Sequence, residues 1–139
     1  MKLLSICLIS LIHLSFSQKL EKIKLTDFIE IRWVLNNKTN AGPVKNDKKL
    51  IFINHNSPLV KELPYHLKYG GLTFEKDDIL IEHVWNKCGT GNPPNHYKSN
   101  WEFIKNSEVQ ILRIYNSRKW NGEYFISIDR NVLTLIRIN

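Results

Sequence analysis

The feature that most constrains the fold is a two-residue alternation of apolar and polar side chains in the second half of the chain. Between residues 109 and 138 it recurs in three segments rich in Ile, Val, Tyr and Phe, separated by polar stretches at 116–121 and 129–131. Such residues suit a pleated, half-buried surface, where successive side chains point to opposite faces. Short strands joined by polar turns predict an all-β sandwich or barrel.

The rest of the chain adds further strand candidates. The clearer ones cover residues 28–35, 50–53, 72–75, 79–85 and 101–104. A hairpin at Lys76–Asp78 joins two of them, and residues 63–67 remain an uncertain strand because Pro64 interrupts them. Helical spacing of apolar residues in 18–27 predicts a short N-terminal helical turn. We therefore expect an up-and-down antiparallel meander that closes into a β-barrel of about eight strands, which removes its edges.

The N-terminus has the pattern of a secretory signal peptide. Lys2 precedes an apolar run from Leu3 to Leu14, and the small residues Ser15 and Ser17 stand where a signal peptidase cuts. We expect residues 1–17 to be removed on export to the periplasm or the extracellular space. Residues 18–139 then form a single domain, in which no apolar run approaches the roughly 18 residues of a transmembrane helix.

Cleavage at this point also bounds the charge and the cysteines. Loss of Lys2 lowers the net charge from +7 to +6, and the remaining basic residues are scattered without an Arg-rich face, so no nucleic-acid partner is indicated. Loss of Cys7 leaves Cys88 unable to form an intrachain disulfide. Stability must therefore come from a hydrophobic core.

Residues 85–101 (WNKCGTGNPPNHYKSNW) form the longest candidate loop and site. Cys88 lacks any cysteine-hydrolase signature and is interpreted as structural, with an intermolecular disulfide as the alternative. A metal corner of His83, Cys88 and His96, joined by His55 or His66, does not match the short ligand spacings of zinc sites. We predict no metal, no cofactor and no catalytic residues.

Several motifs in order resemble a known group. Trp33 on the first strand is followed by LTFEKDD (72–78), CGTGN (88–92), a strand opening with Trp101, and GEYFISIDRNVLTLIRI (122–138). This order resembles the small exported lipocalin-like domains of Bacteroidetes. The resemblance implies a lipocalin-like barrel in which Trp33 closes one end and Arg137 packs over it. A guanidinium over an indole face gains on the order of 0.5–2 kcal/mol. Ile31 departs from the glycine usual at that position.

The predicted function follows from the barrel interior. One face of the predicted strands mixes aromatic side chains with polar groups that could hold the head of an amphipathic ligand. The candidates are His83, Trp85, Trp101, Phe103, Arg113, Tyr115 and Tyr124. We therefore expect a non-enzymatic protein that binds a small apolar or amphipathic molecule. The alternative is a packed barrel that contacts a protein partner, as an interaction or inhibitor module, through loop 86–100 and the turn carrying Trp120.

Overall fold

A computed structural model describes residues 22–36, 48–84, 95–104 and 109–138. Within these ranges eight strands, paired antiparallel, close into a β-barrel, which confirms the predicted fold class. The strands are β1 (Arg32–Leu35), β2 (Lys49–Asn54), β3 (Gly71–Phe74), β4 (Ile79–Val84), β5 (Asn95–Ile104), β6 (Ile111–Tyr115), β7 (Gly122–Asp129) and β8 (Val132–Ile138). The N-terminal helical turn is a 3₁₀ turn at Leu25–Asp27. No helix in the described ranges has the length and apolar character needed to cross a membrane.

The strand order around the barrel is β1-β2-β8-β7-β6-β5-β4-β3. Strands β3 to β8 form the expected meander. However, β1 lies between β2 and β3, and β2 pairs with β8 to close the barrel. The connection from β2 to β3 must therefore pass around β1, and residues 55–70 make this crossover.

The crossover is helical, so the uncertain strand at 63–67 is wrong. A 3₁₀ turn spans Pro58–Glu62 and a single α-helical turn spans Tyr65–Lys68. A proline stands at the start of each turn, where its missing N–H leaves no intrahelical bond unmade. Val60 and Leu63 pack against the outward side chains of Val34 and Ile53, which gives the barrel a second small apolar cluster on its outside.

The inner face of the barrel is mostly apolar and largely inaccessible to solvent. Along β4 and β6 burial alternates with the two-residue period, with Leu80, Glu82, Leu112 and Ile114 on the buried face. The largest side chains in the barrel that are almost fully buried are Trp33, Tyr124, Phe28, Phe52, Phe74, Leu72, Leu80, Leu112, Ile114, Leu133, Leu135 and Glu82. Glu82 is the single charged residue in this list.

Two boundaries bear on the candidate sites. The hairpin predicted at Lys76–Asp78 is confirmed, and φ is about +60° at both Asp77 and Asp78, a conformation that Asp tolerates better than most residues. Strand β5 begins at Asn95, so residues 95–100 of the predicted loop are strand instead. They pair with β4, where His83 faces His96 and Glu82 faces Tyr97.

Candidate functional site

The barrel has two chemically different ends. We call the end with the Leu25–Asp27 turn and the β3–β4 hairpin the capped end. The end with the β6–β7 loop, residues 116–121, is the opposite end. Strand β4 runs from the capped end at Ile79 to the opposite end at Val84, so its residues mark the depth of each site.

Aromatic side chains fill the capped end. The ring of Phe28 lies 5.3 to 5.5 Å from the rings of Phe74, Trp101 and Phe103, each in an edge-on arrangement favoured by aromatic quadrupoles. The indole N–H of Trp33 donates to the carbonyl of Phe28 at 3.0 Å. That of Trp101 donates to the Ile79 and Glu75 carbonyls at 3.0 and 3.1 Å. The Trp33 hydrogen bond fixes the segment before β1 to the barrel, and the indole N–H groups of Trp33 and Trp101 are both bonded.

A pocket of about 400 Å³ lies at the edge of this cluster, and we call it the rim pocket. Its volume falls in the range of roughly 300–1,000 Å³ that is usual for small-molecule sites. Its described lining consists of the apolar Leu25, Ile29, Trp101 and Phe103 and the charged Lys76, Asp77, Asp78 and Glu102. Lys76 also pairs with Glu30 at 3.0 Å. The rim pocket thus combines an apolar floor with an acidic edge.

Three of the seven predicted interior residues do point into the barrel. Trp101 and Tyr124 are buried and Phe103 is half-buried against the core. Trp101 and Phe103 lie together at the rim pocket, whereas Tyr124 faces the opposite end, where its hydroxyl donates to the Trp120 carbonyl at 2.7 Å. Trp85 lies outside the described residues.

The other three predicted interior residues, His83, Arg113 and Tyr115, lie on the outer face, so their predicted orientation is wrong. On β4 and β6 the buried face carries Leu80 and Leu112 instead. Both faces of these strands are apolar at several positions, and a period of two identifies the two faces without saying which one is inside. The predicted inward and outward faces of β4 and β6 are therefore interchanged.

Arg113 illustrates what the outer face does. It stands between Glu102 and Glu123 on neighbouring strands and bonds to their carboxylates at 2.9 and 2.7 Å. Hydrogen bonds to Glu123 and then Glu102 raise the pKa of Arg113 above its ordinary value. All three side chains are exposed to solvent, and such ion pairs add little to stability.

The predicted packing of Arg137 over Trp33 is also wrong. Arg137 donates to the Tyr124 hydroxyl and the Asn121 carbonyl, both at 2.9 Å. Trp33 pairs with Asn54 at one end of β2, while the backbone N–H of Arg137 bonds to Lys48, just before the other end. At about 3.3 Å per residue, the two side chains start roughly 15–20 Å apart. The last strand ends at the opposite end and not over the capped one.

The opposite end is polar inside. The guanidinium of Arg118 lies 3.8 Å above the ring of Tyr97. Tyr97 is the cross-strand neighbour of Glu82, whose side chain is 1% exposed. Neither carboxylate oxygen of Glu82 has a hydrogen-bond partner among the described residues. Buried polar groups are normally hydrogen-bonded, so Glu82 is an exception among the described residues of the barrel.

Trp120 does not offer the contact surface that was expected of its turn. Its side chain is 7% exposed and packs with a ring-centroid distance of 5.8 Å against Phe52. Ser117 and Asn121 hold the turn through hydrogen bonds to its backbone. The Trp120 side chain is therefore not available to a protein partner. Of the other predicted contact loop, 86–100, residues 95–100 belong to β5 and the rest lie outside the described residues.

A pair of histidines lies on the outer face of β4 and β5. His83 Nε2 bonds to the Thr73 hydroxyl at 2.8 Å, and its Nδ1 lies 3.0 Å from Nδ1 of His96. Burial, followed by the nearby charges of Arg32, His96 and His55, lowers the pKa of His83 to about 4. Two members of the metal corner thus meet, while Cys88 lies outside the described residues. In the described part of the chain no three His, Cys, Asp or Glu residues are grouped as metal ligands.

Comparisons of this chain with protein-family models, with curated proteins and with solved structures gave no match. The site geometry is therefore the basis for a functional proposal. Sequence reasoning had missed Leu25, Ile29 and Glu82 as site residues. For Glu82 a signal existed, since it alternates with the apolar Leu80 and Val84 and so shares their face.

Proposed function

We propose that this protein is an exported, non-enzymatic, lipocalin-like barrel that binds a small amphipathic molecule at the rim pocket. The observation that carries the proposal is the concavity of about 400 Å³ with Trp101 and Phe103 in its lining. Export rests on the signal-like residues 1–17, and the lipocalin-like assignment rests on the order of motifs along the chain.

The lining of the rim pocket favours an apolar ligand body. The indole N–H of Trp101 already donates to backbone carbonyls, so its ring offers only apolar contact to a ligand. Leu25 is 50% exposed, and a ligand that covers it would remove apolar surface from water, worth about 25 cal/mol per Å².

The edge of the pocket favours a polar or cationic ligand head. Asp77, Asp78 and Glu102 place three carboxylates there, of which Glu102 is paired with Arg113. The single ammonium group of the described lining, that of Lys76, is paired with Glu30. Complementary charge across such an edge orients a ligand and excludes like-charged competitors. We therefore expect cationic or neutral amphiphiles to bind more tightly than anionic ones of equal chain length.

A fluorescent probe tests the proposal. N-phenyl-1-naphthylamine, a neutral apolar dye, should show saturable fluorescence enhancement with the wild-type protein. Leu25→Trp fills the pocket and should weaken dye binding about fivefold or more, equivalent to about 1 kcal/mol. Leu59→Trp is the matched control, because Leu59 is 48% exposed and outside the described lining. Dye affinities that agree in all three proteins, or no saturation in the wild type, would contradict the proposal.

A second experiment identifies the natural ligand. Native mass spectrometry of the protein purified from its own host should show a mass adduct that organic extraction removes. The adduct should be depleted in Leu25→Trp and retained in Leu59→Trp. An adduct equally abundant in both variants would place the ligand elsewhere.

A further inference from the structure

We infer that the barrel interior contains a second recognition site, centred on Glu82, for the amine group of a small organic molecule. This site is distinct from the rim pocket. Glu82 lies three residues along β4 from Ile79, about 10 Å toward the opposite end, and it does not appear in the described lining of the rim pocket. The inference therefore stands or falls separately from the proposed function.

Glu82 is a buried carboxylate that lacks a hydrogen-bond partner among the described residues. Glu82 is 1% exposed, and within the described residues both of its oxygens lack a hydrogen bond. Burying a carboxylate without compensation is expensive, and native proteins ordinarily pair such groups or let them bind a ligand. The free-energy cost of burying Glu82 must be offset by other interactions. A ligand that donates hydrogen bonds to the carboxylate would offset it directly.

The protein's own cations near this end are directed to other groups. Arg118 stacks on Tyr97 at 3.8 Å. Arg137 donates to Tyr124 and Asn121. No ion pair joins either arginine to Glu82 in the described structure. Neither arginine therefore occupies the Glu82 carboxylate, whose oxygens remain open to a hydrogen-bond donor that enters the barrel.

The surroundings of Glu82 suit an organic amine. Leu72 and Tyr97 are its cross-strand neighbours, and the hydroxyl of buried Ser99 reaches the Leu80 carbonyl only through a long 3.5 Å contact. A protonated amine would donate hydrogen bonds to the carboxylate and to a hydroxyl oxygen. Its alkyl part would lie against Leu72 and Leu80.

A metal ion is the less suitable occupant. Calcium takes six to eight oxygen ligands, and zinc usually takes four ligands drawn from His, Cys and carboxylates. The described residues contain no cluster of three His, Cys, Asp or Glu. Glu82 would thus be the single carboxylate in such a site, whereas one carboxylate with one hydroxyl suffices for an ammonium group.

The test compares propylamine with 1-propanol, which differ in charge and little in size. Near pH 7 the amine should raise the melting temperature of the wild-type protein in a saturable manner, and the alcohol should not. Glu82→Gln is nearly isosteric and should remove this difference. Glu123→Gln, which also removes one negative charge but from the exposed outer face, should keep it. Equal effects of amine and alcohol on the wild type, or an amine preference that survives in Glu82→Gln, would overturn the inference.

Amide chemical shifts of the wild-type protein supply a measurement that does not depend on a variant folding. Titration with propylamine should move the signals of Leu72, Glu82 and Tyr97 with one common dissociation constant. Shifts confined to Asp77 and Asp78 would place the amine at the rim pocket and overturn the inference. A larger stabilisation by calcium or zinc chloride than by the amine, reversed by a chelator, would overturn it in favour of a metal.

Discussion

The capped end and the opposite end of this barrel are closed by different kinds of side chain. At the capped end Phe28 and its aromatic neighbours close the interior, and the indole donors of Trp33 and Trp101 are bonded. At the opposite end Glu82 is buried without a hydrogen-bond partner among the described residues, beside Tyr97, whose ring carries the Arg118 guanidinium. The difference teaches that one end is closed by packed aromatic rings, while the other encloses an acidic side chain, and we expect the first to contribute more to stability.

The largest expected effect tests the stabilising role of the capped end. Trp33→Ala should lower the free energy of unfolding by about 3–5 kcal/mol, because it leaves a cavity in a fully buried position. Urea denaturation followed by circular dichroism measures this cost. A loss below about 1 kcal/mol would mean that the aromatic cluster does not carry the stability assigned to it.

The next prediction concerns the contact between β3 and β1. A Cβ atom on Gly71 would lie 1.9 Å from the Trp33 carbonyl oxygen, and φ there is +124°. Gly71→Ala should therefore destabilise the protein by about 2–3 kcal/mol, the usual cost of such backbone strain. The neighbouring Gly70→Ala is the matched control, since its Cβ would have no contact closer than 3.7 Å. Equal unfolding free energies for the two variants would contradict this close approach.

A smaller effect should appear as a pH dependence on the outer face. The pKa of His83 falls to about 4 in the folded protein, against about 6.5 when unfolded, so the unfolded state binds more protons between these values. The free energy of unfolding should therefore decrease as the pH falls from 6.5 to 4, by about 1–2 kcal/mol after allowance for partial exposure. His83→Gln should be less sensitive over the same interval. An equal pH dependence in His83→Gln and the wild type would contradict the lowered pKa of His83.

The smallest effect is expected at the outer ion pairs. Arg113→Ala removes the contacts to Glu102 and Glu123, yet the melting temperature should change by less than about 2 °C, because exposed pairs are weakly stabilising. Dye binding at the rim pocket should stay within about twofold of wild type. A clear loss of dye affinity in Arg113→Ala would contradict this expectation and show that Arg113 contributes to ligand binding.

Local patterns in the sequence predicted several of the strands and one of the turns. The alternation after residue 108 and the Lys76–Asp78 hairpin correspond to β6, β7, β8 and the β3–β4 turn. Those features depend on neighbours in the chain and on turn residues that accept positive φ. The closed barrel follows, since a set of short amphipathic strands has few other ways to cover its edges.

The candidate sites needed tertiary information. Ile79 and Ile81 are as apolar as Leu80, so composition could not tell which face of β4 turns inward. The position of Arg137 depends on which way β8 runs relative to Trp33, and the crossover at 55–70 depends on packing against Val34 and Ile53. The inward orientation of Trp101 and Phe103 was predictable because the charged Glu102 between them distinguishes the two faces of their strand segment.

The most direct test of the contrast between the two ends is the free energy of unfolding of Glu82→Gln measured beside Glu123→Gln. Both variants remove one carboxylate, but only Glu82 is buried without a partner in the described structure. Glu82→Gln should be more stable than the wild type by about 1–3 kcal/mol, since a buried carboxylate that lacks a hydrogen-bond partner is replaced by an uncharged amide. Glu123→Gln should be unchanged or slightly less stable. A Glu82→Gln variant less stable than the wild type by 1 kcal/mol or more would show that the carboxylate is compensated within the fold and would contradict the account.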